Sequence, residues 1–402
     1  MTAEPSFRHV ANGRVEHGLP YPRQLERILS ATEFAAARTE IASWPGYGVT
    51  PLRELAGLAK RLELGAVYYK DEAARFGLKS FKALGGAYAV LRQLQRQVAA
   101  ATGTEPSSRD LIAGRHRDIA ARLTVTCATD GNHGRSVAWG ARLFHCRAVI
   151  FVGAGVSEGR RAAIAHYGAE VLRVPGSYDD AVRHAAAEAR RNGWTVVSDT
   201  SYAGYTDIPR DVMHGYGVMA GEAFEQIAER PTHIFMQAGV GGAAAAVAAL
   251  SWQRWGAERP RLAAVEPVNA DALFRSIEAG RPMVVGGDLE TVMAGLSCGE
   301  VSLLAWDVLR LALDDVLAIS DQTAVDAVRL LAEGGAGDPP LVAGETGVAG
   351  LAGLIAAMSD PPTAAALGLD GASRVLLFGT EGATDPEIWT RLVGRRPEEV
   401  GA

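Results

Sequence analysis

The stretch LTVTCATDGNHGRSVAWGARLF (123–144) decides how the rest of the chain is read. Its opening LTVTCAT (123–129) is rich in β-branched residues and reads as a buried strand, whereas Asn132 to Phe144 read as a helix, entered through a turn at Asp130–Gly134. The same unit recurs downstream. RAVIFV (147–152) is a second strand, followed by a helix in SEGRRAAIAHYG (157–168) with Ser157 as N-cap and Ala162, Ile164 and Ala165 on its apolar face. EVLRV (170–174), a helix from Tyr178 to Arg191 and a strand in WTVVSD (194–199) come next. The rhythm resumes with HIFMQ (233–237), a glycine loop, an alanine-rich helix and RLAAVEP (261–267), and ends with RVLLFGTEG (374–382). Strands alternating with helices predict an α/β fold of mostly parallel, twisted, open sheets with helices on both faces. AATGTEPSSRD (100–110) and AEGGAGDPP (332–340) read as exposed loops, and the first forty residues carry too little periodicity to assign elements.

Length and composition narrow the function. A chain of 402 residues exceeds what one simple core usually holds, so two lobes are expected. With 40 Lys and Arg against 46 Asp and Glu, the net charge of −6 argues against nucleic acid as the main partner. The longest run of small apolar residues, Val240 to Leu250, is about half of the roughly 20 residues that a membrane span needs. The opening MTAEPSFRHV places an acid and a proline where a signal peptide needs an apolar core. Three cysteines, Cys127, Cys146 and Cys298, make no disulfide framework and lack zinc-type spacing. The expectation is a soluble, cytoplasmic protein with no structural metal.

Four segments carry chemistry. In YYKDEAARFGLKSFKALGGAYAV (68–90), Lys82 is flanked by apolar and small residues, where desolvation favours an uncharged, nucleophilic amine; Lys70 and Lys79 read as ordinary surface lysines. In TCATDGNHGRSVAWGARL (126–143), the turn and the helix start offer free N–H groups to a carboxylate, and Asp130 is either an N-cap or an acid–base group. In VVSDTSYAGYTDIPRDVMHGYGVMAGE (196–222), Asp199 ends a strand, where open α/β sheets hold their ligands, with Tyr202, Tyr205, Asp207 and His214 near it in sequence. In THIFMQAGVGGAAAAVAAL (232–250), Gly239, Gly241 and Gly242 let backbone donors approach a phosphate. Gly239-x-Gly241-x-x-Ala244 also fits the dinucleotide fingerprint, with Glu266 near the ribose-binding position, so an NAD-dependent oxidoreductase stays open on this segment alone.

Together the segments resemble the fold-type II pyridoxal-phosphate (PLP) enzymes, the group of threonine deaminase and the tryptophan synthase β subunit, and within it the diaminopropionate ammonia-lyases. The resemblance rests on KDEAARFGLKSFKALGG (70–86), ATDGNHGRSVAWGA (128–141), SDTSYAGYTDIP (198–209), GYGVM (215–219), TVMAGLSCGE (291–300), GETG (344–347) and FGTEGATDP (378–386), in the family's order from about Pro51 to Pro386. Asp130 stands where most fold-type II relatives have a serine-rich turn, as it does in the ammonia-lyases.

The resemblance implies that Lys82 carries the PLP Schiff base and that Gly239, Val240, Gly241 and Gly242 cradle its phosphate. It implies that Asn132 meets the phenolic oxygen, Thr380 meets the pyridine nitrogen, and Thr129, Asp130, Gly131, Asn132 and His133 grip the substrate carboxylate. Asp130 and Asp199 take acid–base and β-amino-recognition roles beside Lys82. Further implications are a large cofactor domain (1–90 and 222–402) with a small inserted domain (91–221), a homodimer, and elimination of 2,3-diaminopropionate, L and also D, to pyruvate and ammonia. A serine/threonine dehydratase, or a lyase for another β-substituted alanine, is the neighbouring alternative. Two positions depart from the pattern. Lys79 replaces a frequent Asn, and Ala272 replaces a cysteine that in some relatives pairs with the match of Cys298, so the loop around Cys298 must be ordered otherwise or be mobile.

Overall fold

The structure, a computed structural model, describes residues 7–15, 17–176 and 178–401. Strands β1 (Phe7–Ala11), β2 (Leu52–Glu54) and β3 (Ala66–Asp71) precede β4 (Thr124–Ala128), β5 (Arg147–Gly153), β6 (Glu170–Val174) and β7 (Thr195–Val196). They are followed by β8 (His233–Gln237), β9 (Arg261–Pro267), β10 (Asp315–Ile319) and β11 (Arg374–Gly379). The larger sheet has the order β1-β10-β9-β8-β11-β3-β2, and the smaller the order β6-β5-β4-β7. The smaller sheet is wholly parallel, while the larger is parallel except for its two edge strands, β1 and β2. Helices on both faces explain the continuous apolar runs: β8 and β10 are entirely buried, and β5 is buried at every position but Arg147.

Parallel strands place their C-terminal ends along one edge, and the loops leaving β4, β7, β8 and β11 carry Thr129–His133, Asp199, Gly239–Gly242 and Thr380. The Lys82–Thr102 helix packs against the Asn132–Leu143 and Asp207–Gln226 helices. That packing is close. A Cβ on Gly140 would lie 2.7 Å from the Ala87 Cα, so the two helices meet backbone to backbone.

Several expectations need correction. The strand foreseen at 194–199 shortens to two residues, because the Tyr205 hydroxyl donates to the Val196 carbonyl (2.8 Å) and accepts from the Ser198 N–H (2.9 Å), occupying groups a strand partner would use. The loop foreseen at 100–110 is shorter, since one helix runs to Thr102 and Ser107 caps another, Ser108–Ile112, through a reciprocal bond with Asp110. Of the apolar face foreseen at 162–165 only Ile164 is buried, whereas Ser157 is the N-cap as expected, accepting from the Arg160 N–H. The opening residues contribute β1, antiparallel to β10, and the Ala31–Ala42 helix.

Lys70 is not a surface lysine. Its side chain is fully buried, donating to Glu222 Oε2 (2.8 Å), Gln226 Oε1 (2.8 Å) and the Thr50 carbonyl (2.7 Å). Arg75 joins Glu222 (2.7 Å) and Glu72 (2.8 Å) in the same interior. Two cations and two carboxylates thus neutralise one another away from solvent, and burial still pulls the Lys70 ammonium below the usual lysine range.

Candidate active site

Lys82 opens its helix at a point tied to the end of β11, where the Phe81 N–H donates to the Thr380 carbonyl (3.0 Å) and Ser80 bridges Glu381. Its Nζ lies 2.6 Å from Asp199 Oδ2, and both side chains are about a fifth exposed (21% and 18%). The sequence reading expected desolvation to neutralise this amine. Burial does push that way, but the Asp199 carboxylate and, after it, Tyr216 together outweigh it and raise the Lys82 pKa. Asp199 responds in the opposite sense: burial would raise its pKa, and the Lys82 ammonium holds it well below the usual carboxylate range.

The loop after β4 is organised by Thr129, whose Oγ1 accepts from the N–H groups of Gly131 (3.0 Å) and Gly134 (3.0 Å). Thr129 therefore does the capping work, with Gly131 at the N-cap position, and the Asp130 carboxylate stays available. Burial raises the Asp130 pKa, opposed by the nearby Arg160 guanidinium. Asn132 reaches across to the larger sheet and donates to Glu381 Oε2. His133 Nε2 donates to the Val197 carbonyl (2.8 Å), so in the neutral ring, which burial favours, Nδ1 is an acceptor without a hydrogen-bond partner among the described residues, 3.9 Å from Asp199.

The glycine loop leaves β8 and enters the Gly242–Trp255 helix. Gly241 has φ +89°, and a Cβ there would lie 3.0 Å from Leu309 Cδ1; a Cβ on Gly239 would lie 3.1 Å from Cys298 Sγ. Side chains are thus excluded, and the backbone donors at this helix start face a cradle suited to a phosphate. Cys298 is free, and Ala272 is fully buried. The loop before Cys298 is ordered by hydrogen bonds instead: Asp321 accepts from the Thr291 hydroxyl and the Val292 N–H (3.0 Å), and Thr346 Oγ1 accepts from the Gly295 N–H (3.1 Å).

The structure adds groups to which the sequence reading gave no role. Arg160, on the Glu158–Ala165 helix beside the smaller sheet, crosses to Glu345 (3.3 Å) and Asp385 (3.7 Å), while the Ser157 hydroxyl donates to Asp385 (2.8 Å). Glu345 is pushed up to about 7 by burial and by the neighbouring Glu381. Glu345 and Glu381 lie within quoted motifs, but nothing in their sequence surroundings shows that they meet. Gln237 ends β8 and donates to Thr380 Oγ1.

The dinucleotide reading fails at Glu266. Its carboxylate is fully buried and accepts from the N–H groups of Leu273 (3.0 Å) and Phe274 (2.7 Å), so no oxygen is directed at a ribose.

Comparison with known proteins agrees with this geometry. The family described as "Pyridoxal-phosphate dependent enzyme" matches residues 43–375. The chain is 38% identical over 362 residues to the diaminopropionate ammonia-lyase of Salmonella typhimurium, covering 87% of this chain and 89% of the relative. Holo diaminopropionate ammonia lyase from Escherichia coli superposes with a TM-score of 0.88 at 34% identity, over 96% of each chain. The E. coli enzyme in complex with an aminoacrylate-PLP azomethine reaction intermediate gives 0.85, also at 34% identity over 96% of each chain. With its glycine loop, half-buried lysine and opposed loops in the matching order, this chain belongs to the pyridoxal-phosphate dependent enzyme family.

Proposed function

We propose that this chain catalyses the PLP-dependent α,β-elimination of 2,3-diaminopropionate, releasing pyruvate and ammonia. The observation that carries the reading is the 2.6 Å contact between Lys82 Nζ and Asp199 Oδ2. Asp199 is placed to hold an ammonium group. Once Lys82 is engaged as the cofactor's lysine, that carboxylate needs another cation, and the β-ammonium of the diamine supplies one.

The residues present fit the cofactor. Lys82 would hold it covalently, the N–H groups around Gly239, Val240, Gly241 and Gly242 its phosphate, Asn132 its phenolic oxygen and Thr380 its ring nitrogen. When bound, PLP supplies an electron sink that acidifies the Cα–H of an attached amino acid. The chain's own groups do the rest. The N–H groups and side chains of Thr129–His133 orient the substrate carboxylate. Lys82 Nζ takes and returns a proton on one face, with Asp199 holding the departing nitrogen as ammonium. Asp130 serves the other face and so gives access to the D isomer.

Selectivity follows from charge. Serine would leave Asp199 without its cation, at a cost of about 3–5 kcal/mol by analogy with broken buried pairs. At about 1.4 kcal/mol per tenfold, the diamine is favoured over serine by at least about two orders of magnitude in kcat/KM. Pyruvate release from a panel of β-substituted alanines of both hands tests this: serine turned over within tenfold of the diamine would refute it. The same proposal includes residues 91–221 as a small domain inserted between 1–90 and 222–402, a homodimer, and a cytoplasmic location. The family resemblance supports the first two, and sedimentation of the holoenzyme checks the dimer.

A further inference from the structure

We propose that Gln237 is a positioning residue that engages one lone pair of the Thr380 hydroxyl, leaves its proton for the cofactor's ring nitrogen and thereby favours the unprotonated nitrogen. The inference rests on the reading of Thr380 as the partner of that nitrogen.

Donor and acceptor identity fix the direction of each hydrogen bond around Thr380. Gln237 is buried at the end of β8, 4% exposed, and Thr380 is buried beyond the end of β11, 1% exposed. Gln237 Nε2 lies 2.8 Å from the Phe378 carbonyl and within hydrogen-bond distance of Thr380 Oγ1. A carbonyl oxygen only accepts, so Phe378 fixes which end of the amide faces this side: turning the amide over would set two oxygens 2.8 Å apart. The nitrogen facing Thr380 is therefore a donor, and the hydroxyl oxygen must accept from it. Among the hydrogen bonds of the described residues this is the one in which Thr380 Oγ1 takes part, so the hydroxyl's own proton is left for whatever binds beside it.

A hydroxyl with one lone pair engaged in this way has its proton free to meet a pyridine nitrogen, which accepts through its own lone pair. Had residue 237 been an acceptor, the Thr380 proton would turn toward it and the hydroxyl would offer a lone pair to the ring, favouring a protonated nitrogen. Gln237 lies 143 positions from Thr380, and its other amide group, Oε1, has no hydrogen-bond partner among the described residues.

The test uses holoenzyme reconstituted with ring-¹⁵N-labelled PLP. The ring-nitrogen resonance of the wild type should be that of an unprotonated pyridine across the neutral range. Gln237→Met should move the signal toward the protonated position and weaken cofactor affinity about five- to tenfold, the worth of one neutral hydrogen bond. Thr380→Val should give a comparable loss, and adding Gln237→Met to Thr380→Val should change nothing further, because Gln237 acts through that hydroxyl. A protonated wild-type nitrogen would overturn the proposal, and this reading needs no variant to fold. An effect of Gln237→Met that persists undiminished in the Thr380→Val background would also overturn it. If Thr380→Val leaves signal and affinity unchanged, the assignment of Thr380 itself fails; if Thr380→Val changes them and Gln237→Met does not, the assignment stands and the role of Gln237 fails.

Discussion

Replacing Glu222 by glutamine perturbs the interior charge cluster at its centre. Glu222 Oε2 accepts from Lys70 (2.8 Å) and Arg75 (2.7 Å), and Oε1 accepts from Arg75 (2.9 Å) and the Tyr47 hydroxyl (3.0 Å). The amide keeps the shape and removes the charge, leaving two buried cations facing Glu72 alone. Breaking a buried pair in this way costs about 3–5 kcal/mol. For 402 residues the entropy of unfolding is about 0.8 kcal/mol/K, so a single transition would shift down by about 4–6 °C. Losing the exposed Arg38–Glu225 pair, worth about 0–1 kcal/mol, should shift it by about 1 °C or less. The sign with pH is fixed too. Burial would raise the Glu222 pKa, but Arg75 and Lys70 hold it below the carboxylate norm. Its contribution is therefore present above the unfolded value of about 4.3 and is lost as pH falls through the folded one. Calorimetry of wild type and variant from neutral to acid pH should show a gap that narrows below about pH 4. A gap of a degree or less at neutral pH would refute the cluster's role in stability.

Three further outcomes follow from the site and its surroundings. Asp130→Asn should lower kcat/KM for the D isomer by at least about 100-fold while leaving the L isomer within tenfold; equal losses would remove the face assignment. Gly241→Ala places a Cβ at φ +89° beside Leu309, and about 1–2 kcal/mol of strain should weaken PLP retention about fivefold or more in an equilibrium titration, whereas unchanged affinity would show that the cradle lies elsewhere. His214 is held down to about 4 by burial and by Arg210, so its neutral form stabilises the fold above the unfolded value of about 6.5. Stability should therefore decline by up to about 3 kcal/mol as pH falls from 6.5 to 4, and His214→Phe should flatten that decline in denaturant titrations.

Much of the architecture was legible in the order of residues. The apolar runs at 124–128, 147–153, 233–237 and 261–267 are strands because parallel strands between helix layers are dry on both faces. Ser157 is the expected N-cap, and the glycines at 239–242 form the expected loop into a helix. These are local properties, set by side-chain shape and by the freedom of glycine. The blocks from 70 to 386 also carried the family resemblance, from which the roles proposed for the lysine, the aspartates and the cofactor contacts are drawn.

Only the tertiary structure decided how the charged and polar groups are partnered. Lys70 looked like a surface lysine because its neighbours along the chain do not show Glu222, 152 positions away. Lys82 looked like an amine made neutral by burial, but Asp199, 117 positions away, keeps it an ammonium. Asp130 was an even choice between cap and free carboxylate until Thr129 took the N–H groups. Glu266 reads from the sequence as available to a ribose, but its oxygens accept from the N–H groups of the next helix. A buried charge is tolerable only if some other part of the chain brings it a partner. Periodicity along the sequence reports which face of an element is dry; which groups meet there is settled by contacts between segments that the sequence keeps far apart.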